Sequence, residues 1–352
     1  MKINFAMWKK ALSELVKMDS KEEWDGLDVV SKWFIATRSA VTIVTLYSCA
    51  IGGLLAVRHG YFTGNWGISI LAWLIITIGL FIAHGTNNFL NDYTDFSRGI
   101  DTDNYFRTQY GVHPLIQKFW NKDQQFRWFA ISGTLAFLSG VFALFYTNFN
   151  LNIIILFAVG ALVLLFYTWP LKHIALGEIS IFLIWGPVMG AAVFLVLAKG
   201  DISDFWQVAL AGIPWGLSVV SINLGKHIDK APEDKKRNVG TLPVVIGEKA
   251  ARIINMVLIA LIYLVILYLV FITRYFTPIL LIVFFAGKRA LYAIGVHTKP
   301  RPAEPPKEWN YWPTWFAGFT FYHNRLFSNL LVLAVLIDTI LRLALPGFWP
   351  AR

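Results

Sequence analysis

The chain has 352 residues, 57% of them hydrophobic and only 15% charged, with a mean hydropathy of +0.56. A soluble chain of that length cannot solvate so much apolar surface, so composition excludes an ordinary soluble domain and indicates a membrane protein. The net charge of +10 would suggest nucleic acid in a soluble protein, but the basic residues fall in alternate loops, so topology accounts for them and no nucleic-acid partner is expected.

Residues 1–32 carry mixed charge and no continuous apolar core, so they do not read as a signal peptide. Within them Phe5, Trp8, Leu12, Leu15 and Val16 recur at helical spacing among Lys9, Lys10, Glu14 and Lys17. That spacing predicts an amphipathic helix, lying on the membrane surface or capping the protein itself. The rest, 33–345, is expected to form a single transmembrane domain.

A hydrocarbon layer about 30 Å thick needs roughly 20 apolar residues per helix. Runs of that kind occur at 33–57, 66–88, 126–147, 151–169, 179–198, 205–224, 253–272, 278–296 and 326–345. The predicted fold is therefore all-α and polytopic, with about nine transmembrane helices around a central cavity. The single Cys49, inside the first run, excludes an internal disulfide. Two long polar loops interrupt the pattern, at 91–125 and 226–250. Both are rich in Lys and Arg, whereas the opposite connections are short and nearly uncharged. The positive-inside rule then puts the N-terminus and both polar loops on the cytoplasmic side. Each loop follows an even-numbered span and begins with Asn and Asp at a helix end, the pattern of a weak internal repeat with a site between its halves.

If the second span continues as helix, Asn88, Asn91, Asp92 and Asp95 lie at i, i+3, i+4 and i+7, on one face. Hard oxygens clustered in this way suit Mg²⁺, which takes one or two carboxylates together with phosphate oxygens. Gly99 can end the helix and turn Asp101 back toward the cluster. Ionisable groups at a membrane helix end are costly and point to function rather than to a solvated loop. The second loop offers Asp229 and Glu233 at i, i+4, with Asp234 as the competing ligand and Pro232 weighing against continuous helix. Two such clusters, with Arg107, Lys226 and Lys230 interspersed, can bridge a diphosphate through metal. The chain lacks the GxxxxGK[ST] sequence of a nucleotide-binding loop, so a lipid diphosphate is the expected ligand.

The run Asn91-Asp92-Tyr93-Thr94-Asp95-Phe96-Ser97-Arg98-Gly99-Ile100-Asp101 resembles the first aspartate-rich motif of UbiA-type intramembrane prenyltransferases, above all the branch that prenylates 1,4-dihydroxy-2-naphthoate on the way to menaquinone. Tyr167-Thr168-Trp169-Pro170-Leu171-Lys172, followed by Leu176-Gly177-Glu178, is similar to that family's junction of the fourth and fifth helices. Asp229 through Gly240-Thr241-Leu242 resembles the second aspartate-rich loop, and Arg38 the family's early arginine. Three positions depart from the pattern. Asp101 replaces an acid expected at Gly99, Ser39 stands where Pro is usual, and Lys226-His227 stand where Asn-Leu-Arg is typical.

The resemblance implies Mg²⁺-dependent transfer of a polyprenyl group from its diphosphate to an aromatic acceptor, by ionisation and electrophilic substitution, in an integral protein of the cell membrane. On that reading Asn91, Asp92, Asp95, Asp101, Asp229 and Glu233 or Asp234 hold Mg²⁺, while Arg107, Lys172, Lys226 and Lys230 hold diphosphate oxygens. Asp95 and Asp229 drive ionisation, and Tyr167 stabilises the allylic cation or donates to the diphosphate. The acceptor implied first is 1,4-dihydroxy-2-naphthoate; 4-hydroxybenzoate, homogentisate and an archaeal glycerophosphate lipid are the alternatives. From another class, an ion-coupled transporter would place its acids on broken helices at mid-depth rather than at helix ends. Trp309, Tyr311, Trp312 and Trp315 read most simply as an interfacial aromatic belt.

Overall fold

A computed structural model describes residues 3–62, 64–102, 106, 111–307, 309 and 311–350. Three short helices, α1 (Phe5–Ser13), α2 (Lys21–Asp25) and α3 (Val29–Ala36), precede the first span. Asp28 sets the start of α3: its carboxylate accepts from the Val30 and Ser31 amides at 3.0 Å and from Trp8 Nε1 at 3.0 Å, which ties α1 to α3. Among the described residues, eight helices are long and apolar enough to cross a membrane: α4 (Ser39–Arg58), α5 (Trp66–Ser97), α6 (Lys122–Tyr146), α8 (Gly177–Leu197), α9 (Phe205–Lys236), α11 (Glu248–Ile272), α12 (Pro278–His297) and α13 (Phe316–Ala344). A shorter apolar helix, α7 (Leu151–Phe166), lies between α6 and α8, and α10 (Leu242–Ile246) links α9 to α11. The all-α polytopic architecture expected from the nine apolar runs is present, and no strand occurs among the described residues.

Two differences from the expected spans shape the site. The run 33–57 is not one helix: it breaks at Arg38, whose backbone is left-handed at φ 57°, and restarts as α4. That conformation is costly for a residue with a Cβ; here it delivers the guanidinium to Asp92 of α5 at 2.9 Å. Secondly, α9 does not stop near the bilayer boundary but runs through Pro214 and Pro232 to Lys236. α5 likewise runs unbroken to Ser97. Both long helices therefore carry their polar C-terminal turns beyond the apolar layer on the same side.

Close approach of small residues holds the bundle together, as expected where lipid supplies no hydrophobic drive between helices. A Cβ on Gly52 of α4 would stand 2.2 Å from the Gly190 carbonyl oxygen of α8, and one on Gly216 of α9 would stand 2.4 Å from Gly186 Cα. In α8 the turn Ile184–Val188 is wound as a π-helix around Pro187, a local accommodation of the lost amide. Large apolar side chains such as Leu135, Phe137, Leu138 and Leu162 point outward on α6 and α7, as a lipid-facing surface requires.

Candidate diphosphate and metal site

A cavity of about 560 Å³ opens between the C-terminal turns of α5 and α9, the start of α4 and the segment before α13. Its polar end is built from three places. The register of α5 brings Asn91 and Asp95 onto the cavity wall, one turn apart. Beyond the helix, Gly99 at φ 72° reverses the chain so that Asp101 comes back to the same wall. Lys172, from the short turn Leu171–His173 after α7, donates to Asp95 Oδ2 at 2.7 Å and to Asn91 Oδ1 at 3.1 Å. Opposite them, α9 presents Lys226, Lys230 and Asp234, spaced i, i+4 and i+8 on one face. Lys230 Nζ lies 3.4 Å from Asp234 and 4.0 Å from Asp101, so it spans the two acidic segments. Thr241 Oγ1 donates to Asp234 at 3.2 Å and fixes its other carboxylate oxygen.

Three of the residues expected at the site, Asp229, Glu233 and Asp92, lie off the cavity wall. Asp229 is absent from the cavity wall; its carboxylate accepts from the Phe316 and Ala317 amides at 3.1 and 3.0 Å and caps α13. Glu233 also points away, paired with Arg237 at 2.8 Å and Lys236 at 3.1 Å. In the unbroken helix Asp229 and Glu233 lie at i+3 and i+7 from Lys226, at the edge of the same face, and it is their partners Phe316 N, Ala317 N, Lys236 and Arg237 that hold them away from the cavity. Asp92 is buried behind the wall, held by Arg38, with ligand atoms of Asp92, Asp101 and His113 all within 4.8 Å of one another. Arg107 lies outside the described residues. Asn91, Asp95, Asp101, Tyr167, Lys172, Lys226, Lys230 and Asp234 all line the cavity as a group.

Other wall residues are not singled out by sequence reasoning. His227 lines the cavity and its Nδ1 is 2.6 Å from Glu178 Oε1, both side chains buried. The sequence signals for them are the departure at Lys226-His227 and the place of Glu178 in the run Leu176-Gly177-Glu178. Trp309 and Tyr311 form part of the wall rather than only a belt, with Tyr292, Phe319 and Tyr322 beside them. Ser13, Glu14 and Leu15 at the end of α1 reach the same cavity, so the N-terminal segment covers it. Beside Lys172, burial and then the adjacent ammonium hold the His173 imidazole below its ordinary range. An apolar chamber of about 410 Å³ between α5, α6, α7 and α8 shares His84, Asn87, Tyr167 and Trp185 with the main cavity.

The residues present fit a divalent ion. Asp95 Oδ1 is buried and has no hydrogen-bond partner among the described residues, an arrangement costly in an apolar bundle unless a cation completes it. Oxygen donors from Asn91, Asp95, Asp101 and Asp234 are the hard ligands that Mg²⁺ takes, and they sit among lysines suited to phosphate oxygens.

An all-helical bundle of membrane-length helices with carboxylates and lysines lining one cavity defines the class of fold and site. Residues 40–337 match the UbiA prenyltransferase family, and the chain belongs to that family. It is 25% identical to "UbiA prenyltransferase domain-containing protein 1" of Danio rerio, over 71% of each chain. It is 26% identical to the "1,4-dihydroxy-2-naphthoate octaprenyltransferase" of Haemophilus influenzae, over 72% of this chain and 76% of that one. The fold is similar to that of a UbiA homolog from Archaeoglobus fulgidus solved with DMAPP and Mg²⁺, with a TM-score of 0.55 and 13% identity, covering 87% of this chain and 99% of the other. The protein is thus an integral membrane prenyltransferase.

Proposed function

We propose that the protein transfers a polyprenyl group from its diphosphate to 1,4-dihydroxy-2-naphthoate or a closely similar aromatic acid, as a step toward menaquinone. The observation that carries this reading is the mixed wall of one cavity. Carboxylates and lysines line it together with His84, Trp185, Tyr292, Trp309 and Tyr322. The neighbouring apolar chamber adds room for isoprene units.

Asn91, Asp95, Asp101 and Asp234 would hold Mg²⁺, which withdraws charge from the departing diphosphate. Lys172, Lys226 and Lys230 balance the remaining negative charge on its oxygens as the allylic C–O bond lengthens. Lys172 is held ready by Asn91 and Asp95 and needs only to exchange one anionic partner for another. Tyr167, at the junction of the two cavities, presents its ring to the allylic carbon or its hydroxyl to the diphosphate. Arg325, also on the cavity wall, offers a guanidinium for the acceptor carboxylate. Trp309, Tyr311 and the N-terminal residues 13–15 keep bulk water from the cation. The charge bias of the loops supports a cytoplasmic site.

Purified full-length protein incubated with a prenyl diphosphate, Mg²⁺ and a panel of aromatic acids tests the reading by mass spectrometry of the products. The naphthoate adduct is expected to form fastest. Adducts with 4-hydroxybenzoate alone would transfer the proposal to that acceptor, and no diphosphate release with any acceptor would defeat it.

A further inference from the structure

Resting on the aromatic-acceptor reading above, we infer that His227, held by Glu178, is the general base that takes the proton from the acceptor's hydroxyl as its ring attacks the allylic carbon. The two residues come from different helices: Glu178 stands in the first turn of α8, and His227 on the polar C-terminal part of α9. His227 Nδ1 lies 2.6 Å from Glu178 Oε1, and both side chains are buried. A carboxylate can only accept, so the hydrogen is on Nδ1 and the lone pair on Nε2. The imidazole ring lines the cavity, so Nε2 is the nitrogen a bound ligand meets. A tie between α8 and α9 alone would account for the hydrogen bond but not for the ring's place on the cavity wall.

The pair also stands near the groups assigned to the diphosphate. Gly177 lets the turn that carries Lys172 pack closely: a Cβ there would be 3.4 Å from Lys172 Cα and 3.9 Å from His227 Cε1. Lys226 precedes His227 in the chain and lines the same cavity. Asp229, two residues on, caps α13 and is not a metal ligand. A positioned base held in its tautomer by a buried carboxylate is the arrangement that proton abstraction requires. The O–H bond breaks with its proton passing to Nε2 and its electron pair moving into the ring. The ring carbon bonds to the allylic carbon, whose C–O bond breaks with its pair leaving on the diphosphate. The attacked carbon then releases its own substituent, a proton to the diphosphate or a carboxyl group as CO₂. Nε2 returns its proton to the oxygen as the aromatic ring is restored, and Glu178 offsets the positive charge that the imidazole carries in between.

The test separates a base from a structural tie. Full-length protein in detergent, with Mg²⁺ and a prenyl diphosphate, is assayed at one pH on hydroxynaphthoates whose hydroxyl acidity is graded by fluorine substitution. His227→Gln and Glu178→Gln are compared with wild type on each acceptor, and affinity for a non-ionising prenyl thiolodiphosphate is measured by calorimetry. His227→Gln is expected to lose about 10²–10⁴-fold in kcat on acceptors that keep their proton in solution, and less than about tenfold on those already ionised. Glu178→Gln should show the same gradation with a smaller loss, and both variants should bind the thiolodiphosphate like wild type. A loss equal across the series, or no loss, in a variant that binds the thiolodiphosphate would overturn the assignment and leave the aromatic-acceptor reading standing. No product from any of these acceptors with wild type would overturn that reading and the assignment with it. If His227→Gln does not bind the thiolodiphosphate, the Glu178→Gln series decides alone.

Discussion

Replacing Lys172 by methionine removes one charge that has two partners in turn, and the two consequences run in opposite directions. In the metal-free protein Nζ lies 2.7 Å from Asp95, with side-chain exposures of 9% and 3%. Breaking one side of a buried pair costs about 3–5 kcal/mol because the remaining charge is left in a poor dielectric. The metal-free variant is therefore expected to melt several degrees lower. The same lysine competes with a metal ion for Asp95, so its removal frees that carboxylate. At about 1.4 kcal/mol per decade, apparent metal affinity should rise on the order of 10–100-fold. Turnover should nevertheless fall by roughly 10²–10³, the usual loss when one group that stabilises a developing anion is deleted. The assay is a thermal melt at increasing Mn²⁺, paired with kcat measured at saturating metal. Metal affinity unchanged or weakened in Lys172→Met would show that Asp95 is not the carboxylate the ion uses.

Asp229→Ala and Asp234→Asn should behave as opposites. The first uncaps α13, costing about 1–2 kcal/mol in melting stability while leaving the metal dependence of turnover in place. The second should melt near wild type and lose at least about 100-fold in kcat/KM at fixed Mg²⁺. Near the N-terminus, desolvation of the Asp28 carboxyl is outweighed by hydrogen bonds from Ser31, Trp8 and Asn4, which lower its pKa to about 2. The unfolded segment binds that proton more tightly, so the stabilisation is complete above the ordinary value of 3.8 and disappears as pH falls toward 2. Hydrogen exchange across residues 4–31 should show Asp28→Asn less protected than wild type at pH 7, with the difference vanishing near the lower value. Gly52→Ala should abolish monodisperse expression, because its Cβ would meet the Gly190 backbone oxygen at 2.2 Å.

The spans and the first acidic segment were legible because both follow from local rules. An apolar run of bilayer length must be a helix, and a helix that continues past Asn88 necessarily puts Asn91 and Asp95 on one wall. The second segment was harder for a physical reason. Which of Asp229, Glu233 and Asp234 faces the cavity depends on the partners each carboxylate meets once α9 has passed Pro232, and those partners leave no mark in a short sequence window. Asp229 shows the consequence: its partners, Phe316 N and Ala317 N, are 87 and 88 residues away in the chain. The left-handed turn at Arg38 and the recruitment of Trp309 and Tyr311 to the wall are likewise products of long-range contact. By contrast, His227 could be noticed from the sequence because Lys226-His227 break a pattern, although its meaning required Glu178 to be placed beside it.

The most direct measurement is a density map of the full chain with Mn²⁺ and a non-ionising prenyl thiolodiphosphate bound. The diphosphate is predicted to lie between Asn91, Asp95 and Lys172 on one side and Lys226 and Lys230 on the other, with metal density on Asp95 and the isoprenyl chain among the apolar residues of the cavity. A diphosphate bound anywhere else, or metal density on Asp229 and Glu233 instead of Asp95, would contradict the account.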